Sequence, residues 1–142
     1  MAIDVRGVCT LVLVFDMPTS LRFYRDVLGF EVVATSDDDA GDDVDWCYLR
    51  LGKAELMLNG MYEAHQRPPA PDKTRIAAHK DVCLYFGCPD VDAAYRYLRA
   101  KGVNAKEPTV AAYGMKQLYV LDPDGYNVCF QWEATPPEQP VP

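Results

Sequence analysis

Four residues share a spacing that chemistry could use. Glu55 follows Cys9 by 46 residues, and Cys129 follows Cys83 by the same 46. Cys9 and Cys83 are 74 residues apart, as are Asp16 and Asp90, and Glu55 and Cys129. Spacing repeated this closely points to two copies of one structural unit. A site built on it is expected where the copies meet. Two readings of the side chains stand. Three thiols and a carboxylate form a soft donor set whose natural first metal is zinc, with Glu55 as fourth ligand. The same thiols also serve as small apolar wall residues of a metal-free pocket. The second reading is favoured, because buried thiols are commoner than soft-metal sites. The sequence has five cysteines, an odd number, and no CxxC pair. That usage fits reduced thiols in a cytoplasmic protein. Cys47 and Cys88 read simply as small buried hydrophobes.

Composition excludes several functions. The chain has 142 residues, 49% of them apolar and 25% charged, enough to build a core. With 21 acidic and 14 basic residues the net charge is −7, which argues against a nucleic-acid partner. No apolar run reaches the length of a membrane span, so no membrane partner is expected. The N-terminal MAIDVRGVCTLVLVFD reads as a first strand rather than a signal peptide. The acidic stretch over residues 37–45 lacks the ligand placement of an EF-hand loop and reads as solvated. Neither a phosphate loop nor a nucleophile elbow is present.

The elements that must position these residues follow from periodicity. Residues 8–15 are rich in β-branched side chains and read as a strand. Pro18 suits the first turn of a helix, Leu21, Tyr24 and Leu28 form its apolar stripe, and Gly29 stops it. Residues 30–35 form a second strand, and WCYLRLG with AELMLN a hairpin around Gly52 and Lys53. The second half repeats the order. Residues 81–87 form a strand, and Asp90 caps a helix with its stripe at Val91, Ala94, Tyr95 and Leu98. Gly102 ends that helix, and a hairpin turns across Pro123, Asp124 and Gly125. The predicted organisation is a first module over 1–59, a linker over 60–80, a second module over 81–133 and a Pro-rich disordered tail over 134–142. Pro68, Pro69, Pro71 and both histidines, His65 and His79, fall in the linker. The fold class is therefore α+β, with strand, helix and three strands in each module.

Alternation assigns a face to each strand. With Cys9 go Leu11, Leu13 and Phe15, while Val8, Val12 and Val14 pack under the helix. Glu55, Met57 and Asn59 share a face, and the partner strand adds Trp46, Tyr48 and Arg50. In the second half Cys83 and Tyr85 lie together, with Val82, Leu84 and Phe86 toward the helix. Asn127, Cys129 and Gln131 oppose Val128, Phe130 and Trp132. The surface so collected is apolar and aromatic with a few polar groups, the composition of a small-molecule pocket. Its candidate ligand-binding residues are Cys9, Leu13, Trp46, Tyr48, Arg50, Glu55, Met57, Cys83, Tyr85, Cys129 and Gln131.

The segments LVFDMPTSLRFYRDVLGFEVV, LRLGKAELMLNG, PDVDAAYRYLRAKGVNA and VLDPDGYNVCFQW resemble the vicinal oxygen chelate superfamily, which includes glyoxalase I, extradiol dioxygenases and bleomycin-resistance proteins. The resemblance extends nearly to Trp132. It implies tandem βαβββ modules, mainly antiparallel curled sheets with outer helices, a cleft between the modules and a homodimer. In the superfamily's metal enzymes one ligand comes from the first and one from the last strand of each module. Carried over, those positions are Cys9, Glu55, Cys83 and Cys129. The enzymes place His or Gln, Glu, His and Glu there, and this chain keeps only Glu55. Three thiols suit magnesium, manganese or nickel chemistry poorly. The expected function is therefore binding of a small, partly apolar planar molecule in the cleft without the usual hard metal. The alternative is a metal-dependent lyase, isomerase or dioxygenase. No cofactor is expected, zinc being the metal to look for first.

Overall fold

Along the strands Thr10–Val14, Trp46–Leu51 and Ala54–Gly60 of the first half, side chains turn inward and outward in alternation, and the burial follows that period. Val12 and Val14 are buried while Leu11 and Leu13 stand exposed. Cys47 and Leu49 are buried, as are Leu56 and Leu58, each separated by a residue left partly or fully accessible. The computed structural model describes residues 2–135. Most of the expected tail, residues 136–142, lies outside the described residues.

The chain divides into two compact units, residues 1–71 and 72–142. The first contains β1 (Thr10–Val14), α1 (Met17–Leu21), β2 (Glu31–Thr35), β3 (Trp46–Leu51) and β4 (Ala54–Gly60). Its four-stranded sheet runs β1-β4-β3-β2, with β1 parallel to β4 and the other neighbours antiparallel. The second unit opens with α2 (Lys73–Ala78), followed by β5 (Cys83–Gly87), α3 (Val91–Ala100), β6 (Thr109–Val110), β7 (Met115–Leu121) and β8 (Asn127–Glu133). Its sheet runs β5-β8-β7-β6, again with the first strand parallel to the last. Each unit therefore holds a βαβββ module, an α+β arrangement as expected.

Local sequence explains the helices. Pro18 occupies the first turn of α1, where its missing N–H costs nothing. Beyond Leu21 the helix widens over Arg22–Val27, and Leu28 N–H donates to Phe23 O, five residues back, at 2.9 Å. The predicted stripe holds: Leu21, Tyr24 and Leu28 are all buried, with Phe30 beside them. In α3 the Asp90 carboxylate accepts from Ala93 N–H at 2.9 Å, satisfying one of the helix's free donors. Val91 and Leu98 carry its buried face.

Three expectations need correction. Strand β1 starts at Thr10, so Val8 does not pack under a helix but is 86% exposed. Strand β5 starts at Cys83, and Val82 is likewise exposed. Apolar, β-branched residues read as strand from the sequence, but strand pairing starts with Thr10 opposite Leu56 and Cys83 opposite Asn127. The third concerns residues 60–80, which show little periodicity in sequence but contain α2. Asp72 caps that helix by accepting from Thr74 N–H at 2.9 Å. The short helix is docked against the β7–β8 turn. Arg75 donates to Asp124 at 2.8 Å, with Asp124 only 2% exposed. His79 stacks on Tyr126 with centroids 3.9 Å apart and donates from Nδ1 to Asp124 O at 2.7 Å.

Candidate functional site

The open face of the first sheet is assembled in rows. Leu11 pairs with Met57, and Met57 with Tyr48. Leu13 pairs with Asn59, and Asn59 with Trp46. Arg50 lies opposite Glu55 at the hairpin end. Leu13, Trp46, Tyr48, Arg50, Glu55 and Met57 thus share one face, as the alternation predicts. Leu11 and Leu13 are 44% and 42% exposed, so this face is not covered by its own unit. Arg50 sits over the Tyr48 ring, its guanidinium carbon 5.7 Å from the centroid, which keeps the cation on the aromatic surface. Cys9 lies one residue ahead of β1, partly exposed. Burial pushes its thiol pKa up, and the nearby Glu55 charge adds to the shift.

The acidic stretch is solvent-exposed over residues 37–42 and is tied to the unit through Asp42 and Asp43. Arg67 donates to Phe15 O at 3.1 Å and pairs with Asp16 at 2.9 Å and Asp43 at 2.6 Å. Arg25 holds Asp42 at 2.9 Å, keeping that carboxyl pKa below the usual range. Cys47 lies in the core with Met17 Sδ 3.9 Å from its sulfur, and burial pushes its thiol up to about 11. It is the small buried hydrophobe the sequence suggests. Cys88, by contrast, is partly exposed.

The open face of the second sheet has a central row, Tyr85–Cys129–Tyr119. The two phenols are hydrogen-bonded at 3.1 Å, their rings edge to face. Tyr85 and Tyr119 are exposed, but Cys129 between them has no exposed surface, and burial pushes its thiol up to about 11. A molecule on this face meets the phenols before the thiol. Cys83 pairs with Asn127, beside Leu121. Gln131 pairs with Gln117, whose Nε2 donates to Gln131 Oε1 at 3.0 Å and to Tyr113 Oη at 2.8 Å.

A groove of about 500 Å³ opens along this face, between β7 and the stretch leading into β6. Val103, Val120, Leu121 and Tyr119 supply its apolar and aromatic wall. Asn104, Thr109, Gln117 and Asn127 supply neutral polar groups, and Lys106 and Glu107 the charged ones. The sequence reading includes Asn127 on this face but misses the rest of the lining. The signal was available: applying the alternation to MKQLYVLD puts Gln117, Tyr119 and Leu121 on the face of Cys129. The contribution of residues 103–107 has no such signature, because it is irregular chain.

Of the four positions implied as metal ligands, each unit holds two. Cys9 is near Glu55 in one unit, and Cys83 is near Cys129 in the other. Among the described residues no three His, Cys, Asp or Glu side chains are grouped so as to hold an ion. The register adds a second disagreement. Cys83 lies directly opposite Asn127, and Cys129 opposite Tyr85, so the shared spacing of 46 is not a shared pairing.

Fold and site together place the chain among known proteins. A profile of the Glyoxalase/Bleomycin resistance protein/Dioxygenase superfamily matches residues 8–130. The chain belongs to that superfamily. Its fold is similar to that of TnmS3, an antibiotic binding protein from Streptomyces sp. CB03234, with a TM-score of 0.66 and 22% identity over 94% of this chain and 100% of that one. A bleomycin-binding protein complexed with bleomycin gives a TM-score of 0.66 at 20% identity, over 91% and 99% of the two chains. The structure of SMU.1112c gives 0.68 at 25% identity, over 91% and 100%. No curated protein matches the chain in sequence. Among the described residues no helix is long and apolar enough to cross a membrane.

Proposed function

We propose that this protein is a binder rather than a catalyst: it holds a small, partly apolar planar molecule on its open sheet faces without the hard divalent metal of the superfamily's enzymes. The observation that carries this reading is the second unit's open face, where exposed Tyr85, Tyr119 and Leu121 stand with a groove of about 500 Å³. That size and mixture suit a drug- or metabolite-sized ligand. On the first unit, Trp46 and Tyr48 offer stacking surface and Arg50 an anchor for a carbonyl or anionic group. The antibiotic binding protein and the bleomycin-binding protein of the same fold support a sequestering role. The donor chemistry argues against the alternative lyase, isomerase or dioxygenase, since a hard metal wants oxygen and imidazole ligands where this chain has thiols. Five free cysteines fit a cytoplasmic setting. The exposed apolar edge strand β1 fits a homodimer that covers it.

The test is a titration with bleomycin and a panel of planar aromatic antibiotics in a Trp132→Phe background, following Trp46 fluorescence. At least one compound should quench it. Trp46→Ala should weaken binding by about twofold to tenfold, the range expected of an aromatic stack worth about 0.5–1.5 kcal/mol. Affinity indifferent to both Trp46→Ala and Arg50→Ala would move the site off the first unit's face. Elemental analysis of protein purified without chelator or affinity metal tests the other half. Stoichiometric nickel, manganese or iron, lost in Glu55→Gln, would establish the enzyme reading instead.

A further inference from the structure

The groove of the second unit contains one polar group whose bonding is already half decided. Gln117 sits in the middle of β7 and is only 6% exposed. Both protons of its Nε2 are committed, one to Tyr113 Oη at 2.8 Å and one to Gln131 Oε1 at 3.0 Å. In this arrangement the amide nitrogen faces those two groups and its oxygen faces the other way. Its Oε1 accepts from no group among the described residues. No fully buried side-chain nitrogen or oxygen among those residues lacks a partner, so this oxygen must be accessible. The space that Gln117 lines is the groove. The amide therefore presents an oriented acceptor to whatever enters, and it has no proton left to offer. Two donated bonds also polarise the carbonyl and make it a better acceptor.

We infer that Gln117 acts as a specificity residue, so that the groove takes a neutral, partly apolar molecule that presents an N–H or O–H donor to Gln117 Oε1. This rests on the binding reading above and narrows it. A carboxylate or phosphate brought to this oxygen would meet an acceptor and no donor. Lys106 and Glu107 in its lining carry opposite charges, so together they add no net charge to the groove. Leu121 and Val103 favour an apolar body next to the donor. A ligand that covers the oxygen without bonding to it strands a buried acceptor, which costs about a factor of ten in affinity.

A matched pair of probes isolates the effect: indole, with a ring N–H, and 1-methylindole, where a methyl replaces that proton. Each is titrated at millimolar concentration into the ¹⁵N-labelled 142-residue chain. The readouts are the Gln117 side-chain amide signals and the backbone amides of Thr109, Tyr119 and Asn127. Indole should bind the groove about tenfold more tightly than 1-methylindole. Gln117→Met removes the acceptor at similar volume and should erase the preference, leaving 1-methylindole affinity unchanged. Gln117→Glu keeps an acceptor, since Tyr113 and Gln131 can turn to donate to it, and should retain the preference. A purely structural role would not separate these two variants. If Gln117→Met fails to fold, loss of the preference in Gln117→Glu still overturns the inference. Equal binding of both probes to the wild type, or a preference that survives Gln117→Met, also overturns it, yet leaves the groove as a small-molecule site. No shift of groove resonances by either probe sinks the inference and removes the groove from the binding reading.

Discussion

Gly125 offers a sharp test of how the second unit is held together. Its φ is +83°, and a Cβ placed there would lie 2.6 Å from Ile76 O and 2.7 Å from Ile76 Cγ2. Two separable penalties follow for Gly125→Ala. The left-handed backbone costs a non-glycine residue about 1–2 kcal/mol. The contact with a backbone oxygen cannot be relieved by a rotamer change, so α2 must lift away from the turn. Lifting strains the Arg75–Asp124 pair at 2.8 Å, whose carboxylate is 2% exposed. Losing a hydrogen bond between charged groups costs about 1.5–3 kcal/mol. The expected loss is therefore at least about 2.5 kcal/mol, a large share of the stability of a small domain.

Gly114→Ala supplies the control. Gly114 has a φ of +91°, but nothing lies within 4 Å of its missing Cβ. It should show the backbone penalty alone, about 1–2 kcal/mol. Guanidinium denaturation in a Trp46→Phe background, followed by Trp132 fluorescence, reports the second unit specifically. The reasoning is refuted if Gly125→Ala and Gly114→Ala destabilise equally, or if Gly125→Ala is nearly neutral. Either result would mean that α2 does not dock on the turn as described.

Three further outcomes are expected. Arg67→Ala removes the links to Phe15, Asp16 and Asp43, and should speed hydrogen exchange over residues 37–45 with a loss of about 1–3 kcal/mol; unchanged exchange there would show that the acidic stretch is held by other contacts. The thiols of Cys47 and Cys129 are both raised from 9.0 to about 11 by burial, so the folded state keeps protons that the unfolded chain releases. Stability from this source is intact below pH 9 and falls between about pH 9 and 11, by no more than about 2–3 kcal/mol per thiol; the difference between wild type and the Cys47→Ala, Cys129→Ala double variant should be flat below pH 9, and a slope at lower pH would contradict the assigned shifts. Light scattering should report a dimer at micromolar concentration, whereas a monomer across that range would count against the assembly in the proposed function.

Much of the fold was legible because short-range physics wrote it. The stripe Leu21, Tyr24, Leu28 and the cap at Asp90 are local signals that the tertiary structure leaves intact. Gly52 with Lys53, and Pro123 with Asp124 and Gly125, mark hairpin turns through their own backbone preferences. What was not legible depends on partners distant in sequence. Val8 and Val82 have strand-like side chains, but a strand exists only where another backbone pairs with it. The helix over Lys73–Ala78 is short and weakly periodic, and its reason is the docking of Arg75 and His79 on the distant Asp124 and Tyr126. The groove escaped for the same reason, because four of its ten lining residues, Val103, Asn104, Lys106 and Glu107, lie in irregular chain.

The equal spacing of 46 residues suggested equivalent donor pairs, yet the sheets pair differently. In the first unit Thr10 lies opposite Leu56, which brings Cys9, one residue earlier, beside Glu55. In the second, Cys83 lies opposite Asn127 and is diagonal to Cys129. The mismatch is two residues, one full period of a strand, so every side chain stays on its predicted face while its neighbour changes. Alternation alone therefore could not detect the slip, and the sequence reading could place the faces correctly while misjudging the pairs. The position matching Glu55 is held by Asn127, a neutral amide in the same groove as Gln117. Where a symmetric metal site would need a second charged donor, the second unit offers carboxamides, and that replacement is the chemical reason to look for a hydrogen-bonded neutral ligand there.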